Sequence, residues 1–279
     1  MQVANLPANE EERLAALYRY KILDTATEQA FDDFTTLASQ ICQSPIALIS
    51  LVDETRQWFK AKCGIAADET SREMSFCAHS LLQPDNLLII PNALDDERFA
   101  QNPLVTDSPH IRFYAGAPLV TSEGYPLGTI CVIDRVSRQL TPYQAEALRI
   151  LAKQVINQLE LRLALDELAS INQKMHEYLI DVNRVTQSAA ALEEGNFTAE
   201  DLNEIAKRSD ELGQLARVFQ HAAQTVIERE ARFQQQVANL KVEINQVKRA
   251  REVSQIIRSG YFQEIQEELV DLDLDEFWG

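Results

Sequence analysis

Proline is missing from the last 137 residues of this chain of 279, and glycine is scarce there. All nine prolines lie between Pro7 and Pro142, and only four of the eight glycines follow Gly128. Because proline and glycine interrupt regular structure, this distribution predicts a turn-rich first half and a nearly continuous helical second half.

Features of secreted and membrane proteins are also missing. The first residues contain no basic segment followed by an apolar one, so we expect no signal peptide. No apolar run approaches the roughly 18 residues that cross a bilayer. The four cysteines have no Cys-x-x-Cys spacing, which favours reduced thiols in a cytoplasmic protein. They are Cys42, Cys63, Cys77 and Cys131.

Motifs of common enzyme classes are absent as well. The sequence contains no Gly-x-x-x-x-Gly-Lys-Ser or -Thr phosphate loop, no His-Glu-x-x-His and no Gly-x-Ser-x-Gly. No pair of its four histidines has the spacing of metal ligands. We therefore expect no catalytic site, no metal and no cofactor in this chain.

The charge is strongly acidic, with a formal net value of −17. Such a charge disfavours tight binding to nucleic acid or to an anionic membrane. From Gly260 onward there are seven carboxylates and no lysine or arginine. Apolar side chains lie among these carboxylates, which indicates either a solubilising tail or a segment that docks on another protein. The partner-binding candidates in this tail are Phe262, Leu272, Leu274, Phe277 and Trp278.

Apolar runs of strand length alternate with turns in the first half. A helix containing Phe31 and Ile41 precedes them. We predict strands over Ile46–Val52, Gln57–Cys63, Leu87–Ile90, Arg112–Val120 and Leu127–Ile133. This order favours an α+β fold with an antiparallel sheet and helices packed on one face.

The second half opens with Thr141 as a helix cap, Pro142 at the first helical position and Gln144 completing a capping box. No glycine or proline follows until Gly195, so the helix would be roughly 80 Å long. Apolar residues alternate at spacings of three and four, as in a coiled coil, with polar interruptions such as Asn172. A globular domain cannot bury such a length, so we expect a homodimer through parallel helices. The two predicted seams contain Leu165, Leu168, Asn172, Met175, Leu179, Val182 and Thr186, and then Phe219, Ala223, Val226, Glu230, Phe233, Val237, Leu240, Ile244 and Val247.

The first half resembles a GAF domain of the kind found in bacterial and cyanobacterial sensors, over about residues 12–162. The segments that carry the resemblance are Pro45–Asp53, Arg56–Lys60, Thr70–His79, Asp96–Pro103, Arg112–Leu119 and Gly128–Arg135. The resemblance implies a six-stranded sheet with a small-molecule pocket on one face. The ligand-pocket candidates are Trp58, Phe76, Cys77, His79, Arg98, Phe113 and Tyr114.

The second half resembles a HAMP signalling unit. A helix ends near Gly195, a connector contains Leu202 and Ile205, and Asp210-Glu211-Leu212-Gly213 opens a second helix. HAMP units form parallel four-helix bundles from two chains, so this resemblance also implies a homodimer. We divide the chain into a GAF domain with an N-terminal helix (1–162), a coiled-coil linker with the first HAMP-like helix (163–194), a HAMP-like connector and second helix (195–232), a coiled coil (233–259) and an acidic-aromatic tail (260–279).

Three functions remain open from the sequence. The first is a non-catalytic sensor or adaptor that dimerises and relays a GAF signal to a separate protein. The second is a structural linker in a larger assembly, with an empty GAF pocket. The third is a bilin- or redox-dependent sensor built on Cys77 or Cys63. In bilin-binding GAF domains a histidine directly follows the attachment cysteine, whereas here Ala78 intervenes before His79.

Overall fold

A computed structural model describes residues 1–270. Two compact units divide the chain, the first comprising Met1–Ile171 and the second beginning at Asn172. The helices are α1 (Glu10–Arg19), α2 (Gln29–Cys42), α3 (Phe76–Ser80), α4 (Pro103–Thr106), α5 (Pro142–Glu193), α6 (Asn203–Ala206), α7 (Glu211–Ile257) and α8 (Gly260–Val270). The strands are β1 (Ile46–Val52), β2 (Arg56–Cys63), β3 (Glu69–Ser71), β4 (Leu88–Ile90), β5 (Phe113–Val120) and β6 (Pro126–Asp134).

The first unit is built on one antiparallel sheet in the order β3-β2-β1-β6-β5-β4. The five predicted strands are present, and β3 is a sixth, which confirms the fold expected from the resemblance. β3 lies at the sheet edge beside β2, and its three residues are mostly exposed and polar. The apolar pattern that identifies buried strands is therefore missing there.

Helices cover both faces of the sheet, whereas the sequence predicted helices on one face only. Both faces need a cover because successive side chains of a strand point to opposite faces and the strands are apolar on each. On one face, apolar residues of α1, α2 and the first turns of α5 pack against the sheet, as illustrated by Leu17, Phe31 and Leu148. On the other face lie the short helices α3 and α4, with Phe76 and Val105 in the core. We call this second side the pocket face.

The capping box predicted at the start of α5 is confirmed. The backbone N–H of Gln144 donates to Thr141 Oγ1 at 3.2 Å, and the N–H of Thr141 donates to Gln144 Oε1 at 3.1 Å. The helix ends at Glu193, and Gly195 follows in the left-handed conformation with φ +78°. This is the helix end that the sequence predicted, because glycine adopts positive φ without a Cβ penalty.

Within the second unit, a small apolar core joins the connector to the flanking helices. Leu202 and Ile205 are buried and pack with Val185, Leu212 and Ala216. Asp210 caps α7, since its Oδ1 accepts from the N–H of Gly213 at 3.0 Å. Sequence reasoning found these connector residues and the start of α7, but it did not predict the cap by Asp210 or single out Val185.

Candidate functional site

The predicted pocket residues fall on both faces of the sheet. Phe76, Cys77 and Tyr114 belong to the core of the pocket face. Trp58 and Phe113 lie in the opposite core, against the long helices. Tyr114 and Phe113 are adjacent on β5 and therefore point in opposite directions. The structure thus brings only some of the seven candidates together.

Aromatic side chains form a wall of the pocket face. The rings of Phe76 and Phe99 stack with centroids 4.0 Å apart and planes within 7° of parallel. Tyr114 lies against Phe76 at 5.2 Å, and His79 meets the edge of Phe99 at 4.8 Å. Sequence reasoning did not include Phe99 among the pocket candidates, although Phe99 lies within the Asp96–Pro103 segment that carries the resemblance. Stacked rings at these distances leave no gap for a ligand between them.

Arg98 and His79 lie at the margin of this wall. Arg98 is held by its neighbour Asp96, with Nη2 and Oδ2 at 2.7 Å and Nε and Oδ1 at 2.9 Å. A ring nitrogen of His79 lies 3.2 Å from the carbonyl oxygen of Gln2. Burial lowers the pKa of His79, although its contact with Gln2 opposes that shift. Both side chains therefore already have polar partners within the protein, Asp96 for Arg98 and Gln2 for His79.

Cys77 lies at the centre of a buried polar cluster. Its sulfur accepts a hydrogen bond from Thr129 Oγ1 at 2.9 Å and another from the Tyr114 hydroxyl at 3.3 Å. Ser50 Oγ also lies 3.3 Å from that sulfur. Cys131, on the same strand as Thr129, is fully buried in the same core. Because every member is buried, these contacts replace the hydrogen bonds that water would supply.

This cluster sets the acidity of its thiols. Burial raises the pKa of Cys77, but donation from the surrounding side chains outweighs burial and holds that pKa below its usual value. The interaction with Cys77 raises the pKa of Cys131, and burial raises it further. Burial and the nearby Cys77 likewise raise the pKa of Tyr114. Of these three groups, Cys77 is the first to carry a negative charge.

Sequence reasoning missed Ser50, Thr129 and Cys131. The available signal was a polar or thiol side chain inside an otherwise apolar strand, as in Ile46–Val52 and Pro126–Asp134. Such residues need partners when buried. The sequence did not reveal that the three share one sheet face.

The cavity beside Cys77 is small. Its volume is about 30 Å³, and its lining includes Gln57, Phe76, Cys77 and Tyr114. Ligand pockets for small molecules enclose roughly 300–1,000 Å³. A cavity of about 30 Å³ has the size of one water molecule. In this arrangement the pocket face is filled by its own side chains.

Two predicted regions lie elsewhere. Phe262 is half-buried in α8, whereas Leu272, Leu274, Phe277 and Trp278 lie outside the described residues. On α7, six residues of the predicted seam expose 50–65% of their surface, and they are Val226, Phe233, Val237, Leu240, Ile244 and Val247. On α5, four residues of the earlier seam expose 52–56% of their surface, and they are Leu165, Leu168, Met175 and Leu179.

None of the helices formed by residues 1–270 has the length and apolar character required to cross a lipid bilayer.

Comparison with known proteins identifies both domains. The GAF domain model matches residues 26–159, and the HAMP domain model matches residues 181–228. A cyclic di-GMP phosphodiesterase of Pseudomonas aeruginosa is 42% identical over 132 residues, which are 47% of this chain and 22% of that protein. The chain therefore spans about a fifth of the length of this relative.

Solved GAF domains match at lower identity. The GAF domain of a phosphoenolpyruvate-protein phosphotransferase from Acinetobacter is 17% identical, with a TM-score of 0.41, and the match covers 56% of this chain and 98% of that one. The GAF domain of PixJ from Thermosynechococcus elongatus is 12% identical, with a TM-score of 0.42, and the match covers 62% of this chain and 98% of that one.

Proposed function

Because this chain contains a GAF domain followed by a HAMP domain, we propose that it is a non-catalytic cytoplasmic signalling protein. It forms a parallel homodimer and relays a change in its GAF domain to a separate protein partner. A change in the first unit would favour one of two packings of the helical unit, which the partner then recognises. The net charge of −17 argues against nucleic acid as that partner.

The exposed seam of α7 is the observation that supports the proposed dimer. Its six apolar side chains follow heptad spacing, and each exposes at least half of its surface in the single chain. Burial of apolar surface stabilises by about 25 cal/mol per Å². A second copy of the same helix presents the same seam and can bury all six side chains at once. A HAMP domain in the preceding residues supports this arrangement.

The dimer is tested by the mass in solution. Multi-angle light scattering of the full chain should give twice 31.6 kDa. Val237→Glu places a charge in the seam and should shift the mass toward the monomer. Val242→Glu is the matched control, since Val242 is 55% exposed on the same helix but lies outside the seam. A monomeric wild-type protein, or equal effects of the two substitutions, would refute the proposal.

The small cavity favours a second candidate, a structural linker whose GAF domain binds no small molecule. A volume of about 30 Å³ beside Cys77 gives no support to a bilin or a cyclic nucleotide in this arrangement. A linker should remain bound to an assembly in cell extracts, and removal of residues 260–279 should release it. A sensor should instead change its hydrogen exchange in residues 181–228 when a ligand of the GAF domain is added.

The relative from Pseudomonas aeruginosa is an enzyme, whereas we propose no catalysis for this chain. Its matched part is about a fifth of its length, so its activity can reside in residues that have no counterpart here. We propose that this chain detects the signal and that a separate protein produces the response. Measurement of cyclic di-GMP hydrolysis by the purified chain tests this, and turnover above that of a heat-denatured control would contradict it.

A further inference from the structure

One seam position of α7 holds a carboxylate instead of an apolar side chain. Glu230 lies between Val226 and Phe233, in the alternating spacing of four and three that defines the seam. Among the residues that the structure describes, the hydrogen-bond partner of this carboxylate is Gln234, whose Nε2 donates to Glu230 Oε1 at 3.4 Å. When the seams of two copies close over this position, the carboxylate loses water and needs a further partner.

A cation lies beside this carboxylate on the same side of the helix. Arg229 and Glu230 line one shallow recess of α7 together with the seam residues Val226, Phe233 and Val237. Consecutive residues of a helix do not face each other, so Arg229 cannot be the partner of Glu230 within one chain. Both side chains are exposed in the single chain. They are therefore available to a second copy.

The heptad positions of these two residues show where a second copy would bring them. The seam spacing places Glu230 at position a and Arg229 at position g, directly before it. In a parallel two-stranded coiled coil, the hole that receives an a side chain includes the preceding g residue of the facing helix. Glu230 of each copy therefore meets Arg229 of the other, and two ion pairs of opposite charge form across the interface.

Two further charges on α7 favour the same register. Glu243 is at position g, and Lys248, five residues later, is at position e of the next heptad. Salt bridges between the helices of a parallel coiled coil join these two positions. Both side chains are exposed in the single chain. In-register pairing therefore joins Glu243 of each copy to Lys248 of the other, so opposite charges meet at both levels of the helix.

We propose that Arg229 and Glu230 select a second copy of this chain, parallel and in register, as the partner of α7. The inference rests on the proposed dimer and adds its register and the residues that specify it. The apolar seam residues can pack in several registers, because they repeat every heptad. A shift by one heptad would place Glu230 beside Ala222 or Gln236 of the other copy. The carboxylate would then lie in the interface without a cation, which is unfavourable.

An exchange of charges in the full-length chain tests this inference. Arg229→Glu and Glu230→Arg, each alone, place like charges across the interface of a homodimer. The mixed dimer of the two variants restores both ion pairs, because the new carboxylate at position 229 meets the new guanidinium at position 230, and the unaltered pair meets as well. Native mass spectrometry of the two chains, co-expressed with an affinity tag on one of them, separates the three dimers.

The matched control is the pair Glu228→Arg and Arg232→Glu. These residues form an ion pair at 4.0 Å within α7, at the outward heptad positions f and c. The preference is measured as the squared heterodimer concentration divided by the product of the homodimer concentrations. For the Arg229 and Glu230 variants this ratio should exceed that of the control pair by about tenfold or more.

The outcomes separate this inference from the proposed dimer. A dimeric wild type whose charge variants pair no more selectively than the control pair would overturn the inference and leave the dimer standing, whereas a monomeric wild type would overturn both. The double variant Arg229→Glu/Glu230→Arg decides the matter even if a single variant fails to fold, because it keeps both ion pairs in one sequence. It should dimerise as tightly as the wild type in light scattering, and weaker dimerisation would overturn the inference.

Discussion

The hydroxyl oxygen of Tyr114 occupies the space that a side chain on Gly116 would need. A Cβ atom on Gly116 would collide with that oxygen and approach Cζ of the same ring to 2.8 Å. The two residues point to the same face of β5, and the absent side chain lets the tyrosine ring lie along the strand. This placement brings the hydroxyl within 3.3 Å of the Cys77 sulfur.

We predict that Gly116→Ala lowers the free energy of unfolding by about 1–3 kcal/mol, as overpacking of a well-filled core usually does. Tyr114→Phe removes the hydroxyl oxygen, which is the atom nearest to the added Cβ atom. In the Tyr114→Phe background, Gly116→Ala should therefore lower the free energy of unfolding by a smaller amount. The coupling free energy between the two substitutions should be about 0.5 kcal/mol or more. Urea unfolding of the four proteins measures the coupling, and additive effects would contradict the contact.

A second prediction concerns the pH dependence of the first unit. Glu10 on α1 bonds Arg13 at 2.7 Å and Arg72 at 2.6 Å, and the Arg13 side chain is fully buried. Burial raises the pKa of Glu10, but the two guanidinium groups outweigh this effect and lower it to about 2. The ionised carboxylate therefore stabilises the fold above its unfolded pKa of about 4.5, and this stabilisation fades as the pH falls toward 2.

Glu10→Gln should lower the free energy of unfolding at pH 7 by about 3–5 kcal/mol, because Arg13 keeps a buried charge without its partner. The difference from wild type should shrink as the pH falls from about 5 to 2. Glu12→Gln is the control, since Glu12 is exposed on the same helix and has no partner among the described side chains. Urea unfolding at several pH values checks this, and a constant difference between Glu10→Gln and wild type would contradict the linkage.

The accuracy of the sequence interpretation depended on how each element is buried. β1 was predicted with its observed bounds, because a run that is apolar except for Ser50 lies between Pro45 and Asp53, and these two residues mark its ends. α2 was recognised from Phe31 and its helical spacing, whereas α1 was not singled out. α1 is mostly polar, and its Glu10 pairs both with Arg13 in the same helix and with Arg72, which lies 62 residues away. Such long-range pairing has no local sequence signal.

The pocket face was less predictable for a related reason. Phe113 and Tyr114 are both aromatic, and only the sheet register shows which of them faces Cys77. Phe76 lines the cavity and stacks on Phe99, and sequence spacing alone does not determine this arrangement. The family resemblance correctly indicated the fold, but the filling of the pocket is a property of packing in this particular chain.

A third prediction tests the turn that opens α7. Gly213 is buried, and a Cβ atom there would collide with the carbonyl oxygen of Arg208. Gly213→Ala should lower the thermal midpoint of the second unit, because the backbone at Arg208 must shift to accommodate the added Cβ atom. Gly260→Ala is the control, since nothing lies within 4 Å of its Cβ position and alanine favours helix over glycine by about 0.5–1 kcal/mol. Calorimetry compares the two variants, and equal midpoints would contradict the predicted collision.

A fourth prediction concerns Asn172, the polar residue within the first seam. In coiled coils an asparagine at a seam position lowers stability but fixes the register and the number of chains, since its amide pairs with the amide of the other copy. The seam residues Leu168 and Met175 on either side are more than half exposed. If two copies meet here, Asn172→Leu should raise the thermal midpoint and allow species larger than a dimer.

Gln173→Leu provides the matched control, because Gln173 is also exposed but lies outside the seam. It changes the same kind of side chain one residue away and should leave both the midpoint and the mass unchanged. Light scattering at several concentrations separates the two variants. If both give the mass and midpoint of the wild type, Asn172 does not lie in an interface, and the dimer must use another surface.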